Sequence, residues 1–250
     1  MAEADSFDPG VLERLKQLQD KYAAMGQDLT SYLDGLLHAD FPTYWDYINL
    51  DTLLSLQQPV TPFPDEQIFV VYHQITELYF KLSLLEIEQI HAETNLDAAT
   101  FLERVNRVNR YFENLVRSFD IMVHGLDHEQ FLKFRMSLLP SSGFQSVQYR
   151  LIEIACTSLD RLVHRELRDE HADYTFDQVD SLFDVLYWRR GASELASGEP
   201  TLTLKQFEKK YREHIVQFGE ERYYTNLRRK WLSLDPEHQT DKLKDALRTL

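Results

Sequence analysis

The run DEQIFVVYHQITELYFKLSLLEIEQIH, residues 65–91, constrains this chain more than any other stretch. Asp65 and Glu66 follow Pro64, and acidic residues in a first turn favour a helix N-terminus. From Ile68 onward apolar side chains occupy nearly the whole helical circumference. Phe69, Tyr72, Ile75, Tyr79 and Phe80 form one broad side, widened by Val70, Val71, Leu78, Leu82 and Leu85. A helix this apolar belongs in the centre of a bundle, so the rest of the chain is expected to pack around it. Yet His73, Gln74, Thr76 and Glu77 stand in its middle, where each needs a hydrogen-bond partner. Phe69, His73 and Glu77 follow at one-turn intervals and share a face, which makes that face the first candidate for a site.

The flanking sequence supports an all-α fold of about eight to ten helices in a single domain over residues 1–250. Eight glycines and eight prolines are too few for many short strands and turns. Residues 1–8 are small and acidic and are expected to be mobile. Val11, Leu12, Leu15, Leu18, Tyr22 and Met25 recur at helical spacing, predicting a helix that continues to Leu37. Leu50, Leu53, Leu54 and Leu56 predict a short helix before the extended connector Pro59–Pro64. Phe101, Val105, Val108, Phe112, Leu115, Phe119 and Met122 form a heptad-like seam ending at Gly125. Asp127 is placed to cap HEQFLKFRMSLL, and 144–167 reads as a further helix after Pro140-Ser-Ser-Gly. Helices are also expected at 175–188 and at 203–218, the second capped by Thr203, before a polar, weakly amphipathic tail.

A formal net charge of −14 argues against a nucleic-acid or anionic-membrane binder. No run approaches a membrane span, no signal-peptide pattern opens the chain, and Cys156 is the lone cysteine. The expectation is a cytoplasmic protein without a disulfide or a multi-cysteine zinc site.

His73 reads in two ways: as a proton donor or acceptor for a ligand, or as a core histidine satisfied by Glu77 or a backbone carbonyl. The second candidate is FLKFRMSLLPSSGFQSVQYR, residues 131–150. Arg135, one turn after Phe131, suits a bidentate grip on a carboxylate, and Ser141-Ser142-Gly143 precedes a helix whose free amides can take an anion. The alternatives are that Arg135 pairs with a surface acid and Ser142 only caps the helix. His124 and His128 read as a solvated turn because Gly125 breaks their helical geometry. His164 and His171 read as exposed, and Arg228-Arg229-Lys230 as a solvated helix face.

Taken together, YWDYINLDTLLSLQ (44–57), DEQIFVVYHQITELYFK (65–81) and FRMSLLPSSGFQSVQYRLIE (134–153) resemble the tryptophan 2,3-dioxygenase family in order and interval. The resemblance implies a mainly helical haem enzyme, a homotetramer, that inserts both atoms of O2 across the indole C2–C3 bond of L-tryptophan. The product is N-formylkynurenine, in tryptophan catabolism through the kynurenine pathway. Carried over by position, Phe69 and His73 match the distal aromatic and the histidine that accepts the indole N–H, with Val70, Val71 and Tyr72 beside them in the pocket lining. Arg135 matches the carboxylate-binding arginine, and Ser142 a distal-side serine. Tyr44, Tyr47 and Ile48 match residues donated by a neighbouring subunit. The chain departs from the pattern at Phe131, where the family has a tyrosine, and at Trp45-Asp46, where a small pair is usual. The family's axial histidine with its Gly-Thr-rich loop is not recognisable up to Leu250, so the iron ligand is unassigned and His214 is a stand-in. Two other functions stay open: an oxygenase of the same superfamily acting on another aromatic substrate, and a haem-free helical binding or assembly protein.

Overall fold

The computed structural model describes residues 7–94, 96–194 and 199–250. The chain divides into two compact units, Met1–Leu56 and Gln57–Leu250. Most of the described residues are helical, and no strand forms among them beyond two isolated antiparallel bridges, Val163 with Leu186 and Ser193 with Pro200.

In the first unit, α1 (Pro9–Ala24) and α2 (Leu29–Leu37) replace the single helix expected from periodicity. Gly26 adopts φ 68°, a left-handed turn that glycine takes without strain, and Asp28 then caps α2 through the amides of Thr30 and Ser31. Of the mobile stretch expected at 1–8, Asp8 caps α1 by accepting from Gly10 N, Phe7 is exposed, and residues 1–6 lie outside the described residues. α3 (Tyr44–Tyr47), capped by Thr43, and α4 (Leu50–Ser55) complete this unit.

The second unit is organised by α5 (Pro64–Ala92), which begins where the proline-rich connector ends. Glu66 fastens that junction. Its buried carboxylate accepts from Val60 N and Thr61 N, each at 2.7 Å, and from the Thr61 hydroxyl. Burial alone would raise this carboxyl; the Thr61 hydroxyl and the two amides outweigh it and leave it below its ordinary value. The C-terminal half of α5 packs as predicted, burying Ser83, Glu86, Ile87 and Ile90. The full burial expected from its apolar circumference does not occur. Ile68, Ile75, Leu78, Leu82 and Leu85 form an exposed strip.

α6 (Ala98–Ser118) supplies Phe101, Val105, Val108 and Leu115 to the core. Its seam stops there. The chain breaks at Phe119, which is exposed, and α7 (Asp120–His124) turns away. Asp127 caps α8 (His128–Phe134) as expected, through Gln130 N. α9 (Val147–Cys156) and α10 (Leu159–Leu162) divide the helix predicted over 144–167, with Thr157 extended between them. The helix expected at 175–188 is likewise broken, into 3-10 turns flanking α11 (Val179–Leu182) and then α12 (Tyr187–Gly191).

α13 (Leu202–Arg222) is long and starts on Thr201, whose hydroxyl caps Leu204 N; Thr203 instead donates to Pro140 O. Gly219 permits its close approach to α11, since a Cβ there would meet the Phe183 ring at 3.0 Å. The tail read as weakly amphipathic forms α14 (Leu227–Ser233) and α15 (Asp241–Thr249), and Leu227, Leu243 and Ala246 join the core. Asn109 of α6 donates to Ala246 O at 2.8 Å, a buried bond holding α15 in register. Lys230 donates to the carbonyls of Ile90, His91 and Glu93, satisfying the C-terminus of α5. Arg229 lies over the Tyr223 ring at 4.5 Å. Arg229 and Lys230 are thus structural, where a solvated face is the sequence expectation, and the Lys230 partners are remote in sequence.

Candidate functional site

Phe69 and His73, one turn apart on α5, pack with ring centroids 4.1 Å apart and planes tilted by 33°. Phe131 and Phe134 of α8 close on the same ring: Phe69 lies 6.3 Å from Phe131 and 5.8 Å from Phe134. The aromatic cluster therefore joins the two stretches singled out in the sequence. His73 meets the backbone-carbonyl arm of the structural alternative, not the Glu77 arm, and it does so at the surface, not in the core. It is exposed, and its Nδ1 lies 2.8 Å from Phe69 O. A carbonyl only accepts, so Nδ1 carries the proton and neutral His73 presents Nε2 as an acceptor. Nε2 has no partner among the described residues. Glu77 is engaged elsewhere, accepting from Gln148 Nε2 of α9 at 2.8 Å.

Arg135 follows Phe134 directly, in the 3-10 turn Arg135–Leu138, and its side chain is exposed. It forms no ion pair among the described residues, so the alternative of a surface acid is not realised. An exposed guanidinium that begins the turn after Phe134, without an ion pair among the described residues, is suited to a carboxylate.

Ser142 follows the capping alternative. Its hydroxyl accepts from Phe144 N and its amide donates to Gln145 Oε1, a capping box for the 3-10 turn Gly143–Gln145. The anion-binding helix start expected at Ser141–Gly143 is absent, because α9 begins only at Val147 and Ser146 is its own cap. The loop is anchored at both ends. Gln145 donates to Thr203 O, and Arg150 draws Phe144 into an aromatic box.

That box escaped sequence reasoning. Buried Arg150 bonds Glu153 at 2.7 Å and the Tyr187 hydroxyl at 2.9 Å, with the Tyr149 and Trp188 rings 4.9 and 5.8 Å from its guanidinium. Burial, then the Glu153 hydrogen bond, push Tyr187 up to about 12. Burial raises Glu153 too, against the opposing pull of Arg150 and Tyr187. The i, i+3 Arg–Glu spacing on α9 was the readable half of the signal; Tyr187 and Trp188 are distant in sequence.

Of the remaining candidates, Val70 and Val71 are half-buried, and Tyr72 is buried against Phe119 with its hydroxyl 3.4 Å from Ser118 Oγ. Tyr44, Tyr47 and Ile48 belong to the first unit; Tyr44 and Tyr47 are exposed and Ile48 is the C-cap of α3. His124 and His128 are exposed at turns, as read from Gly125. His164 and His171 are half-buried, not exposed, and His164 Nδ1 lies 3.2 Å from an Arg190 nitrogen.

Haem, which the resemblance implies, needs an axial nitrogen held on a buried wall. His214 fails that test, being exposed on α13. The His91 ring is enclosed by Glu88, Arg222 and Lys230, its Nδ1 3.8 Å from Glu88, and neither ring nitrogen is open to solvent. Neither cleft described in the molecule is lined by a histidine. The described residues do not fit the group. Cys156 is no substitute ligand, since burial, then Glu153, push its thiol up to about 12. Asp235, Glu237 and His238 lie together but are all exposed. No helix among the described residues is long and apolar enough to cross a membrane.

The sequence model of the tryptophan 2,3-dioxygenase family matches residues 36–186, a span that holds Tyr44, Tyr47, Ile48, Phe69, His73, Phe131, Arg135 and Ser142 and stops short of Tyr187, Trp188 and His214. A tryptophan 2,3-dioxygenase from Bacillus thuringiensis subsp. konkukian (strain 97-27) is 36% identical over 160 residues, 60% of this chain and 56% of the relative. One from Polaromonas naphthalenivorans (strain CJ2) is 38% identical over 114 residues, 45% of this chain and 40% of the relative. One from Ruegeria sp. (strain TM1040) is 40% identical over 116 residues, covering 46% and 41%. The chain spans about half the length of the curated relatives it matches.

Proposed function

The chain belongs to the tryptophan 2,3-dioxygenase family, and we propose on that premise that its Phe69–His73–Arg135 surface recognises an aromatic amino acid for oxygenation, with L-tryptophan the first candidate. One observation carries the reading: Phe69 O fixes the Nδ1–H of His73, leaving Nε2 as an acceptor beside the Phe69 ring. An indole lying against Phe69 and Phe131 donates its N–H to that nitrogen, while Arg135 takes the carboxylate with two of its donors. His73 thus orients the substrate and holds its N–H proton. Phe131 adds apolar wall and no hydroxyl, so more of the carboxylate's hold falls on Arg135.

Insertion of O2 to give N-formylkynurenine is the reaction that the family name of the relatives supports. Haem is the cofactor that resemblance attaches to this chemistry, and the described residues assign it no ligand. The same reading makes the protein a cytoplasmic homotetramer in which Tyr44, Tyr47 and Ile48 of one copy complete the pocket of another. The exposure of Tyr44 and Tyr47 and the bare apolar strip of α5 support such assembly. A second reading, a haem-free aromatic amino acid binder, rests on the exposure of His214 and the enclosure of His91 among the described residues.

Calorimetric titration with L-tryptophan tests the shared premise. Arg135→Lys is expected to lose about 2–4 kcal/mol of affinity, because a point charge cannot reproduce the planar fork. Unchanged affinity overturns it. A haem titration followed at the Soret band, with product identification by mass spectrometry, then separates enzyme from binder.

A further inference from the structure

A cleft of about 500 Å³ opens between α6, α9, α14 and α15, away from the His73 cluster. Its floor is apolar, built by Phe112, Ile152, Trp231 and Leu247. Arg228, Lys244 and Arg248 also line it. Three cations gathered on one apolar cleft run against a chain whose net charge is −14. Arg248 has Asp245 at 3.6 Å, but Arg228 and Lys244 have no acidic partner among the described residues. The acid on the wall, Glu153, is spent on Arg150 and Tyr187. Both α14 and α15 lie outside the matched segment 36–186, so half of this cleft is built by sequence that the family match does not reach.

We propose that this cleft binds a hydrophobic monocarboxylate, with its apolar body on Trp231 and Ile152 and its head group between Arg228 and Lys244. The volume suits a small molecule. An apolar body gains by leaving water for such a floor. A carboxylate head gives the two uncommitted cations charge-assisted hydrogen bonds that no side chain supplies. A more polar anion, such as a sugar phosphate, would leave its hydroxyls facing Phe112 and Leu247 without partners. The site is independent of the substrate reading, since it shares no residue with His73 or Arg135.

The test uses decanoate and 2-naphthoate, which separate a chain-like from an aryl source of the same chemistry. Binding to the full chain is followed by calorimetry and by Trp231 fluorescence, with Trp231→Phe as the signal control. Saturable one-to-one binding of either acid is expected, weaker by about tenfold or more in the Arg228→Gln/Lys244→Gln double variant. Both are partly exposed side chains without ion-pair partners, so the fold is expected to survive, checked by circular dichroism. Decanol, with the same body and no charge, should bind equally to parent and variant. The proposal is overturned if neither acid saturates, if decanol matches decanoate on the parent, or if the double variant binds as the parent does. Stoichiometric displacement of the acids by hemin also overturns it, because the cleft would then be a porphyrin site.

Discussion

In the first unit Val11, Leu12, Leu18 and Met25 recur at helical spacing, as Phe101, Val105, Val108 and Leu115 do in the second. The outcomes are opposite. The first four side chains are 38–53% exposed, whereas Phe101, Val105 and Val108 are fully enclosed. No described residue of Met1–Leu56 is buried. Its helices are held by caps at Asp8, Asp28 and Thr43, each a local hydrogen bond within three residues. Gln57–Leu250 adds long-range ties such as Asn109 to Ala246 and Lys230 to the end of α5. Periodicity specifies which face of a helix is apolar; whether that face leaves water depends on a partner surface that local sequence does not name.

The difference is easiest to break in the core of the second unit. Phe101→Ala should cost about 3–5 kcal/mol in urea unfolding, since a fully enclosed ring leaves a cavity the helices cannot close. A loss near that of an exposed site would mean the core of α6 is not the one described.

Glu66 sharpens the contrast, because its buried carboxylate pins the connector amides of Val60 and Thr61 to the first turn of α5, whereas the exposed Asp28 caps the amides of its own helix. Glu66→Gln is expected to cost about 2 kcal/mol, as an amide cannot accept from all three donors. Its folded value lies below the unfolded one, so its stabilisation is present above the ordinary carboxylate range near 4.5 and is lost as pH falls through the folded value. The parent should therefore lose stability on acidification more steeply than Glu66→Gln.

His91 is a further titrating contribution confined to the second unit. Burial lowers it, opposed by Glu88 and reinforced by Arg222 and Lys230. The unfolded state thus binds a proton first, and stability should fall as pH drops below about 6.5, by at most about 1.4 kcal/mol per pH unit. Unfolding curves of His91→Phe between pH 7 and 5 should lack that slope; an identical slope would place its origin elsewhere.

The smallest expected effect is in the first unit, where Leu12→Ala should change stability by about 0.5 kcal/mol or less. A cost comparable to that of Phe101→Ala, growing with protein concentration, would show that this face is covered on association.

The sequence alone determined the all-α class, the position of α5, the caps at Asp127 and the break at Pro140, because each rests on interactions within a few residues. It also carried the family match, and with it the stretches holding Phe69, His73, Phe131 and Arg135. Tertiary structure decided what those residues do. Only the fold shows that His73 spends Nδ1 on a backbone carbonyl, that Ser142 caps a turn, and that Arg150 finds Tyr187 and Trp188. It also turned a polar tail into α14 and α15, one wall of a cleft. The physical reason is range: helix propensity and capping act along the chain, whereas the partner of a buried charge or an apolar face comes from another element, chosen by packing.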